Sequence, residues 1–409
     1  MDNKELHLTH SNSELDSLIG NQVCSICGSS KVWQFFELLN VPLQDGVVWA
    51  TKSEALNAPK GDIKLTFCQT CAYISNQTHD LSKASFTNYD FSLHYSPLYQ
   101  NFIDSLINSI ISRYHIREKT VIDIGCWQGD FLKRICDVGN NRGIGIDPSY
   151  ADNPNHHEKT DRLTFIQDYY SDKYTQYKAD LICCRHILDI LEQPKKFLTM
   201  LRSMLGDDSN SILYVEVPNG LHTFSNLVVW NLIYEKKSWF FPESLIYIFE
   251  TCGFEVINVA PCFGNEYLGI EVKVAQNFIN KSRVTEESMN TVYNHLKQFF
   301  EESRQLTETW RNNFDNIKKS GQRVVAWGAG ARAVTFLNIY QLQDVIPFIV
   351  DINPNRQGMY LPGTAHRIEA PEYLQIYKPE IILITNPTYE QEIKLHVQKL
   401  GLTCDFLVL

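Results

Sequence analysis

Four cysteines are the first residues in this chain whose type and spacing imply chemistry. Cys24 and Cys27 form one CxxC pair and Cys68 and Cys71 a second, with forty residues between them. Two such pairs supply the four thiolates of a tetrahedral zinc site, because a CxxC turn lets both of its sulfurs reach one ion. With every position filled by protein no place remains for a substrate, so the expected zinc is structural. A redox dithiol fits less well, since two pairs occur and neither opens a helix after a strand. Further on, VIDIGCWQGDFL (121–132) places an apolar strand before Asp123, Gly125 and Gly129, and an amphipathic helix after them. Small residues in such a turn let a ligand approach the backbone, and the Asp123 carboxylate lies beside the same crevice. GIGID (143–147) ends in Asp147. An acid about twenty residues beyond a glycine turn is where a ribose hydroxyl pair can be held. FIQDYY (165–170) then brings Asp168 and Tyr169 near the following strand end.

These residues need a scaffold, and the sequence describes one. VIDIG (121–125), GIGID (143–147), LTFIQ (163–167), DLICC (180–184) and ILYVEV (212–217) are short β-rich runs, each but the last followed by a segment of helix length. Such alternation predicts a parallel sheet with crossover helices. Ahead of it, Tyr99 to Tyr114 has apolar residues at three-to-four spacing and reads as a helix. Residues 1–21 are polar and without periodicity, a flexible arm. Residues 22–95 are cysteine-bearing, aromatic and rich in turns, and read as the zinc module. The core then spans 96–280, and 281–320 is charged, free of Gly and Pro from Arg283 onward, and predicted to form one or two linking helices. A second α/β unit fills 321–409, where VVAW (324–327) leads into a Gly328-x-Gly330 turn and a helix start, a seat for an anion. Arg332 and Arg356 stand near enough in sequence to meet phosphates there.

Composition narrows the class. The 409 residues are 44% hydrophobic and 21% charged, enough to bury cores in two or three domains. Thirty-seven basic residues against 47 acidic ones give a net charge of −10, which disfavours nucleic acid or an anionic membrane as partner. No apolar run is long enough to cross a bilayer, and the polar N-terminus lacks a signal-peptide core, so the expected compartment is the cytoplasm. Eleven cysteines in a reducing compartment are expected as thiols or metal ligands. No motif sets an oligomeric state.

The glycine turn followed by acids at successive strand ends resembles the class I S-adenosylmethionine (SAM)-dependent methyltransferases. The resemblance implies that Gly125 and Gly129 pass the amino-acid part of SAM, that Asp147 holds its ribose, and that Asp168 and Tyr169 contact its adenine. A nicotinamide dehydrogenase is disfavoured, because Cys126, Trp127 and Gln128 fill a turn where G-x-G-x-x-G would accept a pyrophosphate. The order of parts over residues 22–409 is similar to the deoxysugar C-methyltransferase family. Its marks here are YDFSLHYSP (89–97), CRHILDILEQP (184–194), YVEVPN (214–219), IYEKKSWF (233–240), WGAGAR (327–332), VDINPNRQGMYLPGT (350–364) and NPTYEQEI (386–393). The implied fold is α/β: a class I methyltransferase Rossmann-like core with a small N-terminal zinc module and a second, C-terminal Rossmann-like domain.

The family's reaction, as the resemblance implies it, takes a proton from the carbon beside the ketone of a nucleotide-linked 4-keto sugar, and the enolate attacks the sulfonium methyl. This needs a base within reach of that proton and a donor or cation at the enolate oxygen. The family's base lies in a Tyr-Glu-His-like segment, where this chain has Tyr234, Glu235 and Lys236. Lysine is a base only if burial or nearby cations depress its pKa by several units, and Glu235 pushes the other way. Three assignments therefore stand: Lys236 steadies the enolate while Tyr234, Glu235 or His186 takes the proton; the acceptor is a hydroxyl or amine; or the chain binds SAM and a nucleotide sugar without catalysis. By the same resemblance His186 and Tyr89 belong to the substrate site, and the C-terminal domain receives the nucleotide carrier.

Overall fold

The computed structural model describes residues 23–80, 82, 93–151, 161–207, 210–276 and 283–409. The expected arm (1–21) and Tyr89 lie outside the described residues. The N-terminal module contributes β1 (Val32–Pro42), α1 (Lys52–Leu56), β2 (Lys60–Cys68) and β3 (Ile74–Asn76). The central unit opens with α2 (Pro97–Tyr114), β4 (Thr120–Ile124), α3 (Asp130–Gly139), β5 (Arg142–Ile146), β6 (Leu163–Ile166) and β7 (Leu181–Arg185). It continues with α4 (Pro194–Leu205), β8 (Ile212–Pro218), α5 (Gly220–Ser225), β9 (Ser238–Trp239), α6 (Pro242–Thr251), β10 (Phe254–Cys262) and β11 (Tyr267–Val274). After α7 (Glu286–Ser320) come β12 (Val324–Trp327), α8 (Ala331–Tyr340), β13 (Phe348–Val350), β14 (Arg367–Glu369), α9 (Leu374–Tyr377), β15 (Ile381–Ile384), α10 (Glu390–Lys399) and β16 (Asp405–Val408).

The central sheet has seven strands in the order β10-β11-β8-β7-β4-β5-β6. Its β8-β7-β4-β5-β6 part is parallel, as the alternation predicts. β4 and β7 are buried nearly throughout, the pattern of strands covered by helices on both faces. The edge departs from the expected parallel sheet: β11 runs antiparallel to β8, and β10 antiparallel to β11. A hairpin needs only a short turn where a parallel strand needs a crossover, and Phe263 to Glu266 supply that turn. The C-terminal sheet, β14-β13-β12-β15-β16, is parallel throughout. Among the described residues no helix is long and apolar enough to cross a membrane.

The parts share their cores. β9, from the central unit, pairs with β3 and completes the N-terminal sheet, β1-β2-β3-β9. The expected link is a single helix of 35 residues, capped by Thr285 and stopped by Gly321 in the left-handed conformation. Its buried stripe, Val292, Leu296, Phe299, Trp310, Phe314 and Ile317, lies in one cluster with Phe36 of β1, Phe224 of α5, Trp230, and Phe336 of α8. Phe299 is fully buried, with ring centroids 5.4 Å from Phe36 and 5.0 Å from Phe224. Phe299→Ala should cost about 3–5 kcal/mol and lower the melting of N-terminal and C-terminal parts together in one transition, as read by calorimetry with hydrogen exchange.

Candidate active site

The two CxxC turns meet. Cys24 and Cys27 sit in the turn before β1, and Cys68 and Cys71 in the turn that leaves β2. All four sulfurs lie within 4.8 Å of one another, with Sγ–Sγ distances of 3.6 Å for Cys24–Cys71 and Cys27–Cys68. Four thiolates about 2.3 Å from a tetrahedrally bound zinc would stand roughly 3.8 Å apart, so the spacing suits such an ion.

A cavity of about 680 Å³ opens at the carboxyl ends of β4 and β5 and reaches across to the C-terminal sheet. Its size falls within the range of small-ligand sites, about 300–1,000 Å³. Gly125, Trp127, Asp147 and Tyr169 are on its central wall. Gly125 has φ +75°, and an added Cβ would stand 2.3 Å from the Ile187 side chain, so the turn needs glycine. Gly129 caps α3 in the left-handed conformation. Asp147, nearly buried, accepts hydrogen bonds from Trp127 N at 2.8 Å and from Ser149 N at 2.7 Å and Oγ at 2.5 Å. These fix its carboxylate: Oδ1 already accepts two hydrogen bonds, while Oδ2 accepts one and keeps a lone pair for an incoming hydroxyl. Asp123 lines an adjoining pocket of about 190 Å³ with Arg134 and Arg185. Burial pushes its pKa up to about 7, against the pull of Arg185 and with the Asp147 charge adding to the rise. Asp168 is not on the cavity wall: Lys173 and Tyr174 hydrogen-bond to its carboxylate and hold its pKa down to about 2. The loop after β6 turns it aside and leaves Tyr169, 64% exposed, facing the cavity.

Deeper in the same cavity stand His186, Asp189, Glu235 and Lys236. His186 has φ +56°, a conformation costing a non-glycine residue of order 1–3 kcal/mol, and its Nε2 lies 2.8 Å from Glu216 Oε1. Glu216 is fully buried; burial raises its pKa, but Arg185 and His186 outweigh that and hold it at about 2. Lys236, half-buried, lines the cavity. Burial lowers its pKa, and the Asp189 and Asp45 carboxylates oppose the shift. Glu235 accepts from Asp45 N at 3.1 Å. Tyr234 does not reach the cavity: its hydroxyl donates to Thr78 O at 2.8 Å and accepts from Asp80 N at 3.1 Å, inside the N-terminal module. Successive side chains diverge here, and Tyr234 packs into the cluster formed with β1 and β2.

Asp189 and Glu216 were not singled out by spacing. Asp189 is 3% exposed and its Oδ1 has no hydrogen-bond partner among the described residues; burial raises its pKa, and the nearby His186 and Lys236 oppose the rise. The signal available was an acid within an otherwise apolar run, ILDIL, just after a strand. On the opposite wall, Arg332 does not stand free for phosphate. It donates to Asn231 Oδ1 at 2.7 Å, Asn386 Oδ1 at 3.0 Å and Glu266 Oε2 at 2.5 Å. Arg356 gives one nitrogen to Ala329 O at 2.5 Å.

Comparison with known proteins agrees with this geometry. Residues 98–259 match the model of a methyltransferase domain, and residues 271–402 match that of a C-methyltransferase C-terminal domain. The chain thus carries a methyltransferase domain and a C-methyltransferase C-terminal domain. Its central unit has the class I methyltransferase fold, and the second match covers most of the C-terminal α/β domain together with α7. Similar solved structures include a riboflavin-derivative dimethyltransferase, N,N-8-amino-8-demethyl-D-riboflavin dimethyltransferase from Streptomyces davawensis. It is 17% identical over 43% of this chain and 54% of that one, with a TM-score of 0.36. The chain thus spans about half of that relative. A SAM-dependent methyltransferase from Clostridium acetobutylicum is 11% identical over 43% and 92% of the two chains, with a TM-score of 0.35. Magnesium protoporphyrin IX methyltransferase from Synechocystis is 14% identical over 44% and 84%, also at 0.35. No curated protein matches the chain.

The donor-side wall suits SAM: a turn in which a Cβ has no room, then a fixed carboxylate whose Oδ2 keeps an acceptor for a ribose hydroxyl. Asp147→Asn should weaken S-adenosylhomocysteine binding about 10- to 100-fold in calorimetric titration, since it replaces a charged acceptor by an amide that turns a donor toward backbone N–H groups.

Proposed function

We propose that this methyltransferase C-methylates a nucleotide-linked keto-deoxysugar through an enolate. The observation that supports it is one cavity whose walls carry both the donor seat at Gly125 and Asp147 and the set His186, Asp189, Glu235 and Lys236. When bound, SAM supplies an electrophilic methyl group. His186 is our choice for the proton acceptor. The ionised Glu216 at 2.8 Å favours a proton on Nε2, which leaves Nδ1 as the basic nitrogen, and it stabilises the imidazolium once formed. Lys236 steadies the enolate oxygen as an ammonium ion, a state its neighbours Asp189 and Asp45 favour. Glu235, tied to Asp45 N, orients the loop that carries Lys236. Tyr234 holds that loop to the N-terminal module.

Incubation with methyl-labelled SAM and a panel of nucleotide-linked keto sugars should give a product with a new carbon-bound methyl by NMR. A methyl ether or methylamine would refute carbon as acceptor, and cofactor binding without transfer to any of the panel would favour a binding protein. Lys236→Ala should lower turnover about 10²- to 10³-fold while S-adenosylhomocysteine affinity stays near normal; an unchanged rate would remove Lys236 from the chemistry.

We also propose that Cys24, Cys27, Cys68 and Cys71 hold a structural zinc ion. Metal analysis should find one zinc per chain. Its removal by chelation should lower the melting temperature, because the binding free energy of such a site is folding free energy, about 10–16 kcal/mol in small zinc modules.

A further inference from the structure

His79 stands where three segments of the chain meet, and both of its ring nitrogens are engaged. It follows β3 in the N-terminal module, and its side chain is fully buried. Nε2 lies 2.9 Å from the Glu235 carbonyl oxygen, and Nδ1 contacts Glu192 Oε1. Glu192 is on the loop after β7, three residues beyond Asp189, and Glu235 immediately precedes Lys236. A carbonyl oxygen and a carboxylate oxygen are acceptors only, so each nitrogen has to donate and the ring holds a hydrogen on both. Lys237 Nζ, 3.5 Å from Glu192 Oε2, favours the carboxylate over an acid that would donate instead. Around this point the N-terminal module and the loop 234–237 are bonded along their length. Asn76 N donates to Lys237 O at 2.9 Å, Lys237 Nζ to Asn76 O at 2.9 Å, and Tyr234 Oη to Thr78 O at 2.8 Å. From the other side Asp189 O accepts from Lys237 N at 2.8 Å and Ser238 N at 2.9 Å.

We propose that His79 is the positioning residue of the loop 234–237: as an imidazolium it clasps Glu192 to the Glu235 carbonyl and so fixes where the Lys236 ammonium stands in the cavity. The proposal rests on the role given to Lys236 above and names what holds that residue in place. Among the described residues the Lys236 side chain makes one hydrogen bond, a long one of 3.5 Å to Asn231 O, so the ammonium is placed by the backbone that carries it. Two peptide groups bracket that residue. His79 holds the first through Glu235 O, and Asp189 O holds the second through Lys237 N, which pins the dihedral angles of Lys236 from both sides. A neutral imidazole has a single N–H and keeps only one of the two partners, releasing either the peptide or Glu192. The groups that face the ring are few. Besides Glu192 and the Lys237 ammonium on the same carboxylate, the Tyr234 ring stacks on it at 6.0 Å between centroids, and the Glu235 carboxylate is turned to Asp45 N. Asp80, next in sequence, is exposed. The Asp189 carboxyl, its pKa raised by burial, is pulled back by His186, Lys236 and His79. Because the pair is removed from water on the His79 side, taking away either partner leaves a charge or an acceptor unmatched.

NMR of the full chain with labelled histidine tests this without turnover. At neutral pH one ring should show slowly exchanging hydrogens on both nitrogens, a signal that shifts in Glu192→Gln and is lost in His79→Gln. In Glu192→Gln the amide oxygen still accepts a bond but carries no charge, so the second hydrogen should leave at lower pH than in the natural chain. In both variants hydrogen exchange at the Lys237 and Ser238 amides should quicken about 10- to 100-fold, the cost of one unmatched polar group, while S-adenosylhomocysteine affinity stays near normal. Should His79→Gln fail to fold, Glu192→Gln, with its half-exposed side chain, decides alone. A His79 ring with a single hydrogen at neutral pH, or loop amides that exchange as before in the folded variants, would overturn the proposal. So would protection lost evenly across the molecule together with S-adenosylhomocysteine binding, which marks a merely structural residue. Where methyl transfer is observed, kcat should fall about 10- to 100-fold in Glu192→Gln with KM for SAM unchanged, and an undiminished kcat would break the link to Lys236. A doubly protonated ring and a loosened loop in a chain that transfers no methyl group to any keto sugar would uphold the clasp while removing the catalytic reading.

Discussion

The buried guanidinium of Arg332 holds the site together. It projects from α8 of the C-terminal unit, is 6% exposed, and bonds to Asn231 and Glu266 of the central unit and to Asn386 of its own. Removing either partner of such a pair strands a charge out of water, so the arrangement fixes how the two α/β units face each other more than it adds net stability. The other wall of the interface has its own tie: Glu392 of α10 accepts from Ser96 Oγ at 2.8 Å and Leu98 N at 2.9 Å at the start of α2. Between these two fastenings lies the cavity. Its chemistry exists because two sheets present their carboxyl ends to one space.

That enclosure explains the electrostatics. Asp123, Asp189 and Lys236 are all shifted in the direction that burial dictates, while Glu216 is held ionised because Arg185 and His186 outweigh its burial. A site built this way can present one ammonium and one imidazole to a substrate in a medium where each charge acts more strongly than in water. The three parts of the chain also stand or fall together. β9 is borrowed by the N-terminal sheet, and α7 buries its apolar stripe against that sheet's residues and α8 alike, so module boundaries in sequence are not boundaries in the core.

The C-terminal unit repeats the bonding of the central unit's glycine turn, which gives the cavity two similarly held acids, Asp147 and Asp351, on walls that otherwise differ. On the donor side the turn is Gly-Cys-Trp-Gln-Gly and on the other Gly-Ala-Gly, so the shared element is the acid and the glycine opposite it rather than the whole loop. Strand-end crevices of this kind hold ligands because backbone N–H groups and helix starts converge there.

What the sequence determined by itself was local: the four zinc-type cysteines, the strand and glycine turn of each α/β unit, the acid Asp147 of the first, and the helical character of the link. Each is set by covalent spacing and by the period of a strand or helix, which short stretches of chain already impose. Tertiary structure alone decided which of three consecutive side chains serve the cavity. Tyr234 goes into the N-terminal core and Lys236 to the site, while Asp168 is drawn away by Lys173 and Tyr174 and Asp189 is brought in. It also turned the far edge of the central sheet antiparallel and engaged Arg332 as a fastening. The reason is physical: a side chain's direction and charge state depend on what distant segments pack against it, and no spacing along the chain encodes that.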